Sequence, residues 1–405
     1  MASPAQAQLF PKTLALDTLQ NPYGLTIKGI DPGDTAGLSV SNAGDLNGDG
    51  IDDVIVASPD AIPNGKAYAG ESYVIFGQTG FADVLELGSL DGSNGFVIEG
   101  VDASDWAGIA VSSAGDINGD GRDDIIIGAG GANPDGRTNA GASYMIFGQN
   151  SFPSRLELAS LDGTNGFAIK GINSYDYAGL TVSGPGDLNG DGIDDVIIGA
   201  LFANPDGKSD AGESYVIFGQ TSFAKTLTLE TLKNPHGFVI QGVNAYDNAS
   251  RTINSAGDLN GDGIDDVVIG AFPADPDGKS DAGESYVVFG QTSFADTLEL
   301  ASLDGMNGFV IKGIDEGDYA GSAVSSAGDL NGDGLDDLLI GASRADPNGK
   351  AFAGETYVVL GQSSFTDVLE LSSLDGSNGF VIKGQCIRQC WYRSQLRRRP
   401  QWRWY

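Results

Sequence analysis

The string "GDLNGDGIDD" at residues 44–53 returns as "GDINGDGRDD", "GDLNGDGIDD", "GDLNGDGIDD" and "GDLNGDGLDD", led by Asp45, Asp116, Asp187, Asp258 and Asp329. Every interval is 71 residues, without insertion or deletion. Other markers keep the same beat: Phe10, Phe81, Phe152, Phe223, Phe294 and Phe365, and the basic series Lys66, Arg137, Lys208, Lys279 and Lys350. A chain made by copying one unit end to end folds as stacked copies, each covering its neighbour's apolar face.

Within a unit, four segments have strand character. "AGIAVSSAG" leads into the acidic stretch, and "DIIIG", "DVIIG" or "DVVIG" follows as a β-branched run suited to a strand buried on both faces. A loop such as "AFPADPDGKSDAGE" leads to "SYVIFG"; a longer segment then leads to "GFVIKG". One four-stranded antiparallel sheet cannot cover both its faces, so the sheets must stack, and radial stacking near this repeat length gives a β-propeller. A parallel β-helix is the rival, but its coils are much shorter. The expected architecture is all-β, with five complete antiparallel blades in residues 10–384, after an N-terminal segment 1–9. "GLTIKGI" near the start is a fourth strand lacking its three partners, so the ring is expected to be incomplete.

The 61 glycines suit a folded, turn-rich protein. Residues 385–405 hold six of the 22 Lys and Arg and none of the 55 acidic residues, leaving −39 on the first 384 residues against −33 for the whole chain. Such a body repels nucleic acid and anionic membranes and attracts cations. Cys386 and Cys390 both lie in the tail, so the body has neither a disulfide framework nor a thiolate metal site. No membrane span is legible, nor is a signal peptide.

In D-x-N-x-D-G-x-x-D, side-chain oxygens recur at positions 1, 3, 5 and 9, the glycine at 6 permits a sharp turn, and the carbonyl at 7 offers a further ligand. The expected ligands are Asp45, Asn47, Asp49, Ile51 and Asp53 in the first copy and Asp116, Asn118, Asp120, Arg122 and Asp124 in the second. Asp187, Asn189, Asp191, Ile193 and Asp195 follow, then Asp258, Asn260, Asp262, Ile264 and Asp266, and lastly Asp329, Asn331, Asp333, Leu335 and Asp337. Hard oxygen donors without His or Cys select Ca2+, at five sites. One isolated Asp-Gly cluster would read as hairpin turn chemistry, but five copies keeping all four oxygens do not. Position 8 (Asp52, Asp123, Asp194, Asp265, Asp336) is expected to face solvent or cap a turn.

"AGLSVSNAGDLNGDGIDDVIVASPDA" (36–61) resembles an FG-GAP repeat, the blade module of the integrin α-chain β-propeller, and the likeness covers residues 10–384. The resemblance implies that the calcium loop joins the first two strands of each blade, that Asp45, Asn47, Asp49, Asp53 and their periodic counterparts are ligands, and that complete rings commonly have seven blades. It departs from the family where Phe-Gly becomes Ala107-Gly108 and, in the fourth unit, Ala249-Ser250, where the blade entry is expected to be strained.

Alternating strand directions put the calcium loops on one rim and the Pro/Asp/Gly-rich loops on the other. A protein or glycan partner is expected on the second rim, near Trp106, Tyr177, Tyr319 and the periodic Lys and Arg; taken singly, each of these also reads as a solvated loop or packing residue. Catalysis has little support: His236, the only histidine, sits in the turn "NPHGF", and the carboxylates repeat in every blade where chemistry needs one site. The chain therefore reads as a non-enzymatic, extracellular adhesion or recognition propeller. A lectin-like propeller and an accessory module of a larger secreted enzyme are the alternatives.

The tail "QCIRQCWYRSQLRRRPQWRWY" breaks the pattern, because Pro400 stands where a sixth acidic loop is due. Each Trp codon, TGG, hides GG for the next position, and Trp391, Trp402 and Trp404 thereby restore glycine one period after Gly321, Gly332 and Gly334. Residues 385–405 read as a sixth copy in the wrong frame, with blades lost beyond it, in preference to a nucleic-acid or membrane-binding tail.

Overall fold

In the computed structural model the described residues are 23–384 with Leu16, Leu19 and Gln20. Phe10, the segment 1–9 and the tail 385–405 lie outside them. Five copies of one four-stranded antiparallel sheet follow each other. In the first blade the strands are β2 (Ser39–Gly44), β3 (Asp53–Ser58), β4 (Glu71–Ile75) and β6 (Gly95–Glu99), paired in that order. These are the four segments expected from the sequence, and among the described residues the only helical elements are single 3-10 turns. The innermost strands stand side by side, Ser39–Gly44 next to Ala110–Gly115 and onward to Ala320–Gly328, as propeller blades do.

Each repeat also carries a further short strand beyond the four expected from the sequence. The stretch before "ASLDG" or its equivalent forms three residues of strand that pair in parallel with the outer strand of the preceding blade, as Arg155–Glu157 does with Val97–Glu99. Three residues with no alternating pattern are too short to be legible beforehand. β1 (Thr26–Lys28) pairs the same way with β5 (Val84–Glu86), so β1 occupies the place of an outer strand in a preceding blade.

The periodic phenylalanines explain this seam. Phe96 of the first blade stacks on Phe152 of the second at 4.2 Å, with Phe76 tilted against both at 6.0 Å. The arrangement recurs at Phe167–Phe223, Phe238–Phe294 and Phe309–Phe365. Such a pair contributes about 0.5–1.5 kcal/mol beyond its buried area. Four of the apolar core clusters likewise draw on two successive repeats, so the core lies between blades.

The end faces show what the seams cover. Phe309 is 0% exposed, whereas Phe380, one period later, is 40% exposed; Val111 is 7% exposed, whereas Val40, one period earlier, is 61% exposed. Among the described residues the five-blade array thus presents an apolar face at each end. The fourth blade's entry is strained as anticipated: Ser250 has φ of 85° where the other repeats carry Gly37, Gly108, Gly179 and Gly321. Its hydroxyl offsets part of that cost by donating to the Glu213 carbonyl at 2.8 Å.

Candidate functional site: two unlike rims

The acidic decapeptides all form the hairpin between the first two strands of their blades, with a register shift at the residue pair before the loop, as at Asn42/Gly44. Local chemistry shapes each turn. The Asp45 carboxylate accepts the N–H groups of Asp49 (2.9 Å) and Gly50 (2.8 Å), Asn47 Oδ1 accepts Asp49 N–H at 2.8 Å, and Asp49 Oδ1 accepts Ile51 N–H at 2.9 Å. Asp187, Asp258 and Asp329 repeat the pattern with their own loops.

Position 9 is set apart by burial. Asp53, Asp124, Asp195, Asp266 and Asp337 are all fully buried. Asp195 accepts Leu188 N–H from its own loop and Gly219 N–H from the end of the third strand, both at 2.9 Å. Burial pushes the carboxyls of Asp124, Asp195 and Asp266 up to about 8, and that of Asp53 to about 6, with the loop carboxylates at positions 1 and 5 adding to the rise. Positions 1, 3 and 5 therefore line the exposed turn and position 9 its floor, with the carbonyls of Ile51, Arg122, Ile193, Ile264 and Leu335 between them in sequence. Among the described residues no group of three or more Asp, Glu, His or Cys side chains is arranged to hold a metal ion.

Position 8 requires a correction. Asp52 is exposed, but Asp123, Asp194, Asp265 and Asp336 are half-buried, and each accepts the N–H at position 1 of the preceding blade's loop. These contacts, at 2.7–3.0 Å, clamp neighbouring blades. A Cβ at Gly115 would fall 2.1 Å from Asp194 Oδ2, so the glycine before the loop makes room for the clamp. Asp52 has no preceding loop to reach among the described residues.

The opposite rim carries the loops between strands two and three, each with a 3-10 turn such as Pro63–Gly65, packed against the connection to the next blade. Lys66, Arg137 and Lys279 donate to the carbonyls of Val101, Ile172 and Ile314, which ties the two loops together rather than offering free cations. A second periodic carboxylate, not singled out from the sequence, is buried here: Asp105, Asp176, Asp247 and Asp318, each pushed up to about 6 by burial. His236 is an exposed turn residue whose ring meets Gln220 Oε1 at 3.1 Å.

This rim holds a cleft of about 1080 Å³ between loops of the first three blades and the entry to the fourth. Trp106 and Tyr177 line it, together with Tyr68, Tyr175, Phe202, Asp60, Asp210 and Arg251. Tyr319 does not; it packs against Phe272 (5.2 Å) beneath the Arg344 guanidinium (4.0 Å).

Comparison with known proteins agrees with the repeat. The FG-GAP repeat family matches at residues 36–75, 107–145, 179–217, 251–288 and 320–359, which in each blade covers the first three strands and the acidic loop. Integrin alpha-PS2 of Drosophila melanogaster is 26% identical over 68% of this chain and 18% of its own length. Integrin alpha-5 of Xenopus laevis is 28% identical over 58% and 20%. Phosphatidylinositol-glycan-specific phospholipase D of Bos taurus is 30% identical over 53% and 24%. The alignments span only about a fifth of these relatives, whose names include both integrin α-chains and a phospholipase. With five matches at an unbroken period, each on one antiparallel blade, this chain is an FG-GAP repeat protein of the integrin α-like β-propeller type.

Proposed function

We propose that this is a calcium-stabilised, non-catalytic recognition propeller that works outside the cell, in adhesion or in capture of a macromolecule. The observation that carries the calcium reading is the fully buried carboxylate at position 9 of every loop. Three such carboxyls are raised to about 8 with the other loop carboxylates beside them. Burying a carboxylate among carboxylates is costly, and an adjacent cation removes that cost. The all-oxygen donor set fits Ca2+: Asp45, Asn47, Asp49 and Asp53 with the Ile51 carbonyl would hold it, and the same positions serve in the other four loops. The ion supplies rigidity to one rim, leaving the other for the partner. Support for the recognition role comes from the integrin α-chains among the relatives, and against an enzyme stands the equality of the five acidic loops.

The test is thermal melting of the full chain with and without EDTA. Chelation is expected to lower the midpoint by roughly 5 °C or more, with recovery in excess Ca2+ but not in equimolar Mg2+. A midpoint indifferent to both would overturn the calcium reading.

A further inference from the structure

We infer that the cleft on the rim opposite the acidic loops is a saccharide site for neutral sugars, a reading that rests on the recognition role proposed above. The first reason is how its aromatic side chains are presented. Tyr68, Trp106, Tyr175 and Tyr177 all have φ between 54° and 73°, a region that bulky L-residues rarely adopt. Hydrogen bonds between loops hold them there: Trp106 N–H donates to the Tyr68 carbonyl, and Tyr177 N–H to the Asn139 carbonyl, both at 3.0 Å. The indole lies over Gly131, where a Cβ would come within 3.0 Å of the ring, and Tyr177 meets Phe202 edge-on at 5.6 Å. Strain of this kind persists only where the surroundings over-determine it, and it fixes flat apolar surfaces before any ligand arrives.

The second reason is the polar complement. Asp60 accepts only the Thr35 hydroxyl at 2.9 Å, and the Asp210 carboxylate accepts no hydrogen bond among the described residues. Arg251 brings a donor to the same cleft, its guanidinium resting 4.6 Å over the Phe272 ring. Aromatic faces suit the C–H face of a pyranose, while acceptors beside a donor suit its hydroxyl edge. A purely apolar ligand would desolvate both carboxylates without a partner. A basic side chain would meet Arg251, and the charge of −33 on the chain disfavours sulfated or uronate sugars. A volume at the upper end of small-ligand pockets leaves room for more than one ring.

The third reason lies in comparing the repeats. The acidic loop is nearly identical in every copy, yet the position of Trp106 reads Thr35, Trp106, Tyr177, Asn248 and Tyr319 along the chain. That of Arg251 reads Leu38, Ile109, Leu180, Arg251 and Ser322. The scaffold is copied while this rim is individual, which produces one asymmetric cleft where equal pockets between blades would have followed from strict repetition.

The experiment uses the full chain in Ca2+ buffer against an array of neutral hexose and N-acetylhexosamine oligosaccharides of two to six rings. Calorimetry on the best probe follows, with Trp106→Ala, Tyr177→Ala and, outside the cleft, Tyr246→Ala. The expected result is binding weakened by about tenfold or more in each cleft variant, and unchanged within about twofold in Tyr246→Ala. Melting curves of every variant establish that loss of binding is not loss of fold. No binding to any of these sugars, binding that survives both cleft substitutions, or capture of basic peptides in their place would overturn the assignment. A Ca2+-dependent melt alongside a negative array would sink the sugar site and leave the proposed calcium-bound propeller standing.

Discussion

The two rims of this propeller obey different rules. On one, five loops of nearly identical sequence make the same turn, because the carboxylates at positions 1 and 9 accept backbone N–H groups and four of the five at position 8 clamp a neighbouring blade. On the other, loops of the same length present Thr, Trp, Tyr or Asn at one position, because those side chains project from a backbone already fixed by loop-to-loop hydrogen bonds. Repetition survives where geometry consumes the side chain, and differentiation occurs where it does not.

The sharpest test of that contrast is Asp195→Ala, measured by urea unfolding in EDTA so that no ion contributes. The Leu188 and Gly219 N–H groups lose their only acceptor among the described residues, and the expected loss is about 2–5 kcal/mol. A loss under 1 kcal/mol would mean that the acidic loops are no more constrained than the other rim.

A smaller effect separates two chemically identical residues. Asp194→Ala removes the charge-assisted contact to Asp116 N–H across a blade boundary and is expected to cost about 1–3 kcal/mol. Asp52→Ala, exposed at the start of the array, should stay within about 0.5 kcal/mol. Equal losses would refute the clamp.

The smallest effect concerns the opposite rim. Asp105, Asp176 and Asp247 have carboxyls raised to about 6 by burial, so the folded state holds protons that the unfolded state, near 3.8, has released. Their contribution is fully present below about 4 and is lost as pH rises through about 6. In EDTA the melting midpoint should therefore rise between pH 7 and pH 5, and the triple Asp→Asn variant should show a flatter slope. An unchanged slope would assign the dependence to the buried position-9 carboxyls of Asp53, Asp124, Asp195 and Asp266, which burial raises as well, and to the overall negative charge.

How much of this was legible beforehand follows from the range of each interaction. The four strands were readable because β-branched runs between Asp-Gly turns are local signals, and so was the acidic turn, whose hydrogen bonds span two to five residues, as from Ile51 to Asp49 and Gly50 to Asp45. The role of position 8 was not, because its partner lies 78 residues away, as Asp116 does from Asp194. The buried aspartate series led by Asp105 is not legible in the sequence, because it sits in a connection whose composition looks solvated.

By itself the amino-acid sequence determined the unit, its period, its strands and the oxygen-rich loops, since each arises within one repeat. Tertiary structure alone decided how units join: the parallel three-residue strand, the phenylalanine seam, the aspartate clamp, and the aromatic cleft drawn from different repeats. The physical reason is that a repeat cannot bury its own faces. The contacts that cover them belong to pairs of copies, and only packing brings those pairs together.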